Sequence, residues 1–104
     1  MEPQAAVPTV TVAELATWLA KPTPPTVVDV REASEFAEYP LLKGAIHIPM
    51  AEIPARMAEL PEGLCVVVCR VGGRSAKVAA WLNGQGRTTY SLTGGMKEWS
   101  AAHG

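Results

Sequence analysis

Leu64-Cys65-Val66-Val67-Val68-Cys69-Arg70-Val71-Gly72-Gly73-Arg74-Ser75 is the stretch on which the reading of this chain turns. Its first five residues form a short, continuous apolar run of the kind found in a strand covered on both faces, as parallel sheets require. Ser75 to Leu82 then supplies Ala76, Val78, Ala79, Ala80, Trp81 and Leu82 to a helix, expected to end at Asn83-Gly84 with the glycine as its C-cap. A buried strand therefore runs through a glycine-rich loop straight into a helix.

Working outward, Thr88 to Leu92 reads as the next strand. Gly94-Gly95 breaks the chain before a terminal helix over Met96 to Ala102, with Trp99 facing inward. On the N-terminal side, Met50 to Leu60 carries Met50, Ile53, Met57 and Leu60 at helical intervals, with Pro54 expected at the helix start. Ala45 to Ile48 is a short strand after the break at Pro40 and Gly44, and Glu32 to Glu38 is a short acidic helix around Phe36 and Ala37. Thr26 to Val30 is a buried strand with Asp29 near its end. Lys21 to Thr26, rich in proline, separates it from a first helix that starts from Val12, with Thr11 and Glu14 in capping-box spacing. Met1 to Pro8 has no periodicity and is expected to be a flexible arm.

Strands alternate with helices throughout, and crossovers of this length favour parallel pairing with helices on both faces. The expected fold is α/β, a three-layer α/β/α sandwich with a central, mainly parallel five-stranded sheet, four of whose strands are those placed above. A chain of 104 residues with 48% hydrophobic content supports one core and one domain. A net charge of -1 offers no footprint for a polyanion, so a nucleic-acid partner is not expected. The longest apolar run is too short to cross a bilayer, no basic leader precedes one, and neither membrane attachment nor export is expected. Two cysteines make no disulfide framework, and a thiol that must stay reduced suits the cytoplasm.

Ligands of open parallel sheets bind at the carboxyl ends of strands, where the following helix presents unpaired N–H groups and partial positive charge. Gly72 and Gly73 let successive amides turn inward as a nest around an anion, and Arg70 and Arg74 add two permanent charges. A cysteine in that setting gains stabilisation as the thiolate that the neutral thiol does not, so Cys69 is expected to be a nucleophile. Arg70 is expected to face an anionic ligand. Arg74 has two open roles, contact with that ligand or an ion pair back to Asp29 or Glu35 that braces the loop. Ser75 most simply caps the following helix, with a hydroxyl contact to the sulfur as the second reading.

The run Cys69-Arg70-Val71-Gly72-Gly73-Arg74-Ser75 resembles the active-site loop of the rhodanese family of single-domain sulfurtransferases. Three further segments agree in order and spacing: Asp29-Val30-Arg31-Glu32 with Glu35-Phe36, Gly44-Ala45 with Ile48-Pro49, and Gly94-Gly95-Met96 with Trp99. The likeness spans roughly Val10 to Trp99 and makes residues 9–104 the expected rhodanese-like domain. It departs at Tyr39-Pro40-Leu41-Leu42-Lys43, where the family places Gly-His-Ile-Pro, and the loop there is expected to be rearranged.

The resemblance implies that Cys69 takes a sulfane sulfur from a small anionic donor such as thiosulfate and passes it to a thiol or cyanide. It places Arg70, Val71, Gly72, Gly73, Arg74 and Ser75 around the substrate, with Asp29, Arg31 and Glu35 supporting the loop. No metal or organic cofactor is expected, and the chain is expected to act as a monomer. A relay that hands sulfur to a protein acceptor is the nearest alternative. A cysteine phosphatase or arsenate reductase is less well matched, because the four residues between Cys69 and Arg74 make a shorter ring than a tetrahedral phosphate needs.

Cys65, about 13 Å from Cys69 along an extended strand, is out of disulfide reach and reads as a core thiol. His47 reads as a packed histidine rather than a base, and His103 as solvated. Lys77 and Arg87 are candidates for a positive rim.

Overall fold

A computed structural model describes residues 7–103. The arm expected over Met1 to Pro8 lies outside them up to residue 6. Strand β1 (Thr9–Val10) leads into helix α1 (Val12–Leu19), followed by β2 (Thr26–Asp29), β3 (Ile46–His47), α2 (Ile53–Arg56), β4 (Leu64–Val68), α3 (Gly73–Gly84), β5 (Thr88–Leu92) and α4 (Gly95–His103). The five strands form one sheet in the order β1-β5-β4-β2-β3, and every pairing is parallel. The expected "mainly parallel" sheet is thus wholly parallel, and its fifth strand is β1. Pro8 extends that edge, its carbonyl accepting the Ser91 amide at 3.0 Å.

Both faces are covered, as the unbroken apolar run of β4 demands. On one face Val28, Cys65 and Val67 pack against Ile53 of α2 and Val78, Ala79 and Leu82 of α3. On the other, Val27, Val66 and Val68 pack against Leu15 of α1 and Met96 of α4, with Trp18 and Trp99 partly buried beside them. Arg31 and Asp29 are fully buried charged exceptions.

Local chemistry explains where the elements start and stop. The Thr11 hydroxyl accepts from the Glu14 amide while the Glu14 carboxylate accepts from the Thr11 amide, the reciprocal cap that sets α1. The acidic segment expected as a helix is instead a 3₁₀ turn over Ala33–Ala37, closed by the Glu32 amide donating to Glu35 Oε2. The helix expected over Met50 to Leu60 is cut into a 3₁₀ turn (Met50–Glu52), α2 and a second 3₁₀ turn (Met57–Glu59). Proline at 54 has no N–H to return to the Met50 carbonyl, which takes the Ile53 amide three residues on instead. Helix α3 starts at Gly73 and runs through Gly84, so the expected C-cap at Gly84 is displaced. Gly86, at φ +90°, is the left-handed residue there, and the Arg87 amide returns to the Leu82 carbonyl. No helix of the described residues is long and apolar enough to cross a membrane.

Candidate active site

Cys69 follows the last residue of the central strand β4, and the chain turns at once into α3. Gly72 occupies the N-cap at φ +115° and ψ -13°, a conformation open to glycine and strained for other residues. That turn aims two amides at the thiol: Gly72 N–H donates to Cys69 Sγ at 3.1 Å and Ser75 N–H at 3.3 Å. The sulfur thus does what an N-cap side chain does, accepting amides that the first turn of α3 would leave unpaired. Ser75 is the third residue of the helix, not its cap, because Gly72 already fills that place.

The opposite side of the loop is held by α4. The Met96 and Lys97 amides donate to the Cys69 and Arg70 carbonyls at 2.8 and 3.0 Å. Engaging these carbonyls on α4 leaves the inward side of the loop to N–H groups. Cys69 is 1% exposed, and Val71 at the loop tip is 52% exposed.

The two loop arginines both find glutamates on the segment after β2. Arg74 donates through Nη1 and Nη2 to the two carboxylate oxygens of Glu35 at 2.8 and 2.7 Å. Of its two open roles, the Arg74 contact present is the one with Glu35. The guanidinium draws the Glu35 carboxyl down to about 2, and the carboxylate in turn raises Arg74. Arg70 donates to Glu38 at 2.8 and 3.1 Å on the exposed rim and lies 5.7 Å over the ring of Tyr39.

Beneath them sits the pair expected to support the loop. Arg31 Nε and Nη2 clasp the Asp29 carboxylate at 2.8–3.0 Å, Nη1 donates to the Tyr39 carbonyl at 2.8 Å, and the guanidinium stacks 4.8 Å over Phe36. Asp29, Arg31, Glu35, Arg70, Arg74, Ser75 and Cys69 are therefore brought to one end of the sheet. His47 is tied to the Arg31 carbonyl at 2.6 Å, a packed histidine as expected. Cys65 points into the core, and burial pushes its thiol up to about 11. Arg87 is spent on the Met57, Leu60 and Pro61 carbonyls, away from the rim it was expected to enlarge. Pro40 to Lys43 of the rearranged segment line a groove of about 400 Å³ with Leu19, Trp99 and His103, and Cys69 is not in its wall.

Two participants carry no signal in the local sequence. Glu38 is one of several acidic residues from Glu32 to Glu38, with nothing in the sequence to single it out. Ser91 lies in β5, where only the parallel register of β4 and β5 places it opposite Val67 and next to α3. Its Oγ is 2.7 Å from Ser75 Oγ.

The description "Rhodanese-like domain" belongs to the family model that matches residues 11–102, and the chain is a member of that family of sulfurtransferases. It is 40% identical over 80 residues to the protein named Sulfurtransferase of Allochromatium vinosum, covering 75% of this chain and 73% of the relative. It is 37% identical over 93 residues to Thiosulfate sulfurtransferase GlpE of Pseudomonas putida, covering 86% and 83%. The crystal structure of SSP1007 from Staphylococcus saprophyticus superposes with a TM-score of 0.81 at 33% identity, over 88% of this chain and 92% of that one.

Proposed function

We propose that this chain moves a sulfane sulfur from thiosulfate, or a similar small anionic donor, to a thiol or cyanide through a persulfide on Cys69. The observation that carries this reading is the sulfur at the end of β4, taking the Gly72 and Ser75 amides at the N-terminus of α3. The Cys69 thiolate attacks the outer sulfur of the donor. The S–S bond of thiosulfate breaks, sulfite leaves with the bonding pair, and Cys69 carries the terminal sulfur as a persulfide anion. An acceptor thiolate or cyanide then attacks that terminal sulfur, and the Cys69 thiolate returns. The electrons balance between donor and acceptor, so the cycle needs neither metal nor organic cofactor.

The loop amides and the helix N-terminus stabilise negative charge on either sulfur species. Arg70, on the open rim, is the cation suited to the donor's oxyanion, since its pair with Glu38 is exposed and exchanges cheaply. Arg74 braces the loop through Glu35. A free, nucleophilic thiol suits a reducing compartment such as the cytoplasm. A second reading has a protein as sulfur acceptor. Val71 favours it, because an apolar residue exposed at the loop tip over the nucleophile suits contact with a protein surface.

The test mixes the purified protein with thiosulfate and cyanide and follows thiocyanate, beside Cys69→Ser. Turnover by the native protein alone is expected, and equal rates for the two would sink the assignment. Intact mass after thiosulfate, with one sulfur added and mapped to Cys69, identifies the intermediate.

A further inference from the structure

The hydroxyl of Ser91 sits behind the nucleophile in a position that no contact with substrate explains. Ser91 is 3% exposed. Its backbone is fixed by the sheet, opposite Val67 of β4 on one side and Thr9 of β1 on the other. Among the described residues, its side chain has one hydrogen-bond partner, Ser75 Oγ at 2.7 Å. Ser75 Oγ in turn has two further neighbours: the Cys69 thiol, which donates to it across 3.4 Å, and the Gly72 carbonyl, which accepts from it at 3.1 Å.

We infer that Ser91 is a positioning residue for the nucleophile, a fixed buried donor that lets Ser75 turn its single proton toward the sulfur when Cys69 is a thiolate. A buried hydroxyl must place its proton on an acceptor, and Ser75 Oγ is the acceptor available to Ser91. With the thiol form, Ser75 accepts from Cys69 and Ser91 and gives its own proton to the Gly72 carbonyl. Once Cys69 loses its proton, Ser75 loses one of those donors and can rotate its O–H onto the sulfur, still accepting from Ser91. The Gly72 carbonyl is not orphaned by the change, because it keeps the Ala76 amide at 3.1 Å. The Ser91 bond is common to both states and gains strength when its acceptor polarises toward an anion.

The charged and titratable groups near this end of the sheet include Arg70 with Glu38 and Tyr39, Arg74 with Glu35 and Glu32, Asp29 with Arg31, His47, Lys77 on α3, and Lys97 and Glu98 on α4. None of them hydrogen-bonds to Ser75 or Ser91 among the described residues. Among the described residues, the hydrogen-bond route from the Ser91 hydroxyl to the sulfur therefore runs through Ser75.

The inference rests on Cys69 acting as a thiolate nucleophile, and its test is independent of sulfur transfer. The pH profile of iodoacetamide alkylation at Cys69, assigned by fragment mass spectrometry, is compared for the native protein, Ser91→Thr, the near-isosteric Ser91→Val, Ser91→Ala, Ser75→Ala and Ser75→Ala with Ser91→Ala. The Val and Ala variants should shift the profile upward by about half to one pH unit, cutting the rate near neutrality roughly three- to tenfold, as loss of one hydrogen bond to a polarised acceptor implies. Ser91→Thr should keep the native profile, and Ser91→Ala should add nothing in the Ser75→Ala background. Val and Thr variants that titrate alike, whether with the native protein or together away from it, overturn the inference. Failure of thiosulfate to load Cys69 would instead count against the sulfur-transfer reading and leave these profiles unaffected.

Discussion

Arg74 reaches across 39 positions of sequence to place both terminal nitrogens on the carboxylate of Glu35, at 2.8 and 2.7 Å. The segment that carries Glu35 hangs in turn from Arg31, whose guanidinium holds the Tyr39 carbonyl and, more loosely at 3.4 Å, the Glu35 carbonyl. The cysteine loop is thereby tied through Arg74, Glu35 and Arg31 to Asp29 at the end of β2. The first link titrates. The Arg74 guanidinium, with help from the Glu32 amide, holds Glu35 at about 2 against an ordinary 4.5. A carboxylate depressed on folding contributes stability above its unfolded value and loses it as pH falls through its folded one. The window is therefore between 4.5 and about 2. Native protein should lose stability across that window more steeply than Glu35→Gln, by a modest margin because the pair is partly exposed. Urea midpoints at about pH 5 and about pH 3 for both proteins measure the difference.

The deeper link should be far costlier to break. Arg31 and Asp29 are both fully buried, and the Asp29 carboxylate also takes the Arg31 amide at 2.9 Å. Arg31→Met leaves a buried carboxylate facing an apolar side chain and should cost about 3–5 kcal/mol. Urea denaturation at neutral pH reads this directly, and a loss no larger than that of a surface substitution would contradict the support role.

Much of this arrangement is legible in the residues alone. β4 and β5 match the predicted spans, β4 because its apolar run is continuous and β5 because its threonines, tyrosine and leucine lie between the breaks at Gly86 and Gly94. The capping-box spacing of Thr11 and Glu14 fixes the start of α1 in the same way. β1 escapes because Thr9–Val10 is too short to show a period, and its strand character comes from the β5 edge. The three-part segment from Met50 to Glu59 escapes because periodicity cannot show whether proline tightens a turn or begins a helix. Cys69, Arg74 and Glu35 are visible as chemistry, yet the choice of Glu35 over Asp29 as the Arg74 partner needs the Asp29–Arg31 pair, which exists only once both are buried. Ser91 is a small polar residue two places after Thr89, and only the β4–β5 register puts both on the sheet face that also carries Cys65.

The two glycines where α4 begins should prove unequal. Gly95 lies at φ +58°, and a Cβ there would come within 2.5 Å of the Cys69 and Arg70 carbonyl oxygens. Those atoms are backbone and are held by α4, so the cysteine loop itself would have to move. At Gly94, φ +79°, a Cβ meets the Glu98 side chain, which can rotate away. Gly95→Ala should cost at least about 1–3 kcal/mol and most of the activity, through overpacking added to left-handed strain. Gly94→Ala should destabilise through its backbone while leaving turnover by the folded fraction near native. Thermal midpoints paired with thiocyanate formation separate the two.

The loop arginines should split along kinetic lines. Arg70 is on the rim, where Glu38 can exchange for a donor oxyanion. Arg70→Gln is expected to raise KM for thiosulfate with little change in urea midpoint. Arg74→Gln removes the tie to Glu35 and should lower the midpoint and kcat together. Steady-state kinetics beside urea denaturation checks both, and a KM effect confined to Arg74→Gln would reverse the roles.

The last prediction concerns the two thiols, four positions apart on one strand and its exit. Cys65 is buried between β4 and its covering helices, and desolvation of the thiolate pushes it up to about 11, opposed only by the charge of Arg87. Cys69 is equally shielded by area, at 1% exposed against 4%, so burial alone would make both inert. The difference is that Cys69 receives the Gly72 and Ser75 amides, which pair with charge on its sulfur, whereas no donor among the described residues reaches the sulfur of Cys65. Reactivity should follow those donors and not exposed area. In folded protein near pH 8, iodoacetamide should modify Cys69 alone, and Cys65 should react only after urea opens the core. Mass spectrometry of the fragments shows which thiol is alkylated, and comparable labelling of both in the folded state would mean that the loop amides confer no special reactivity.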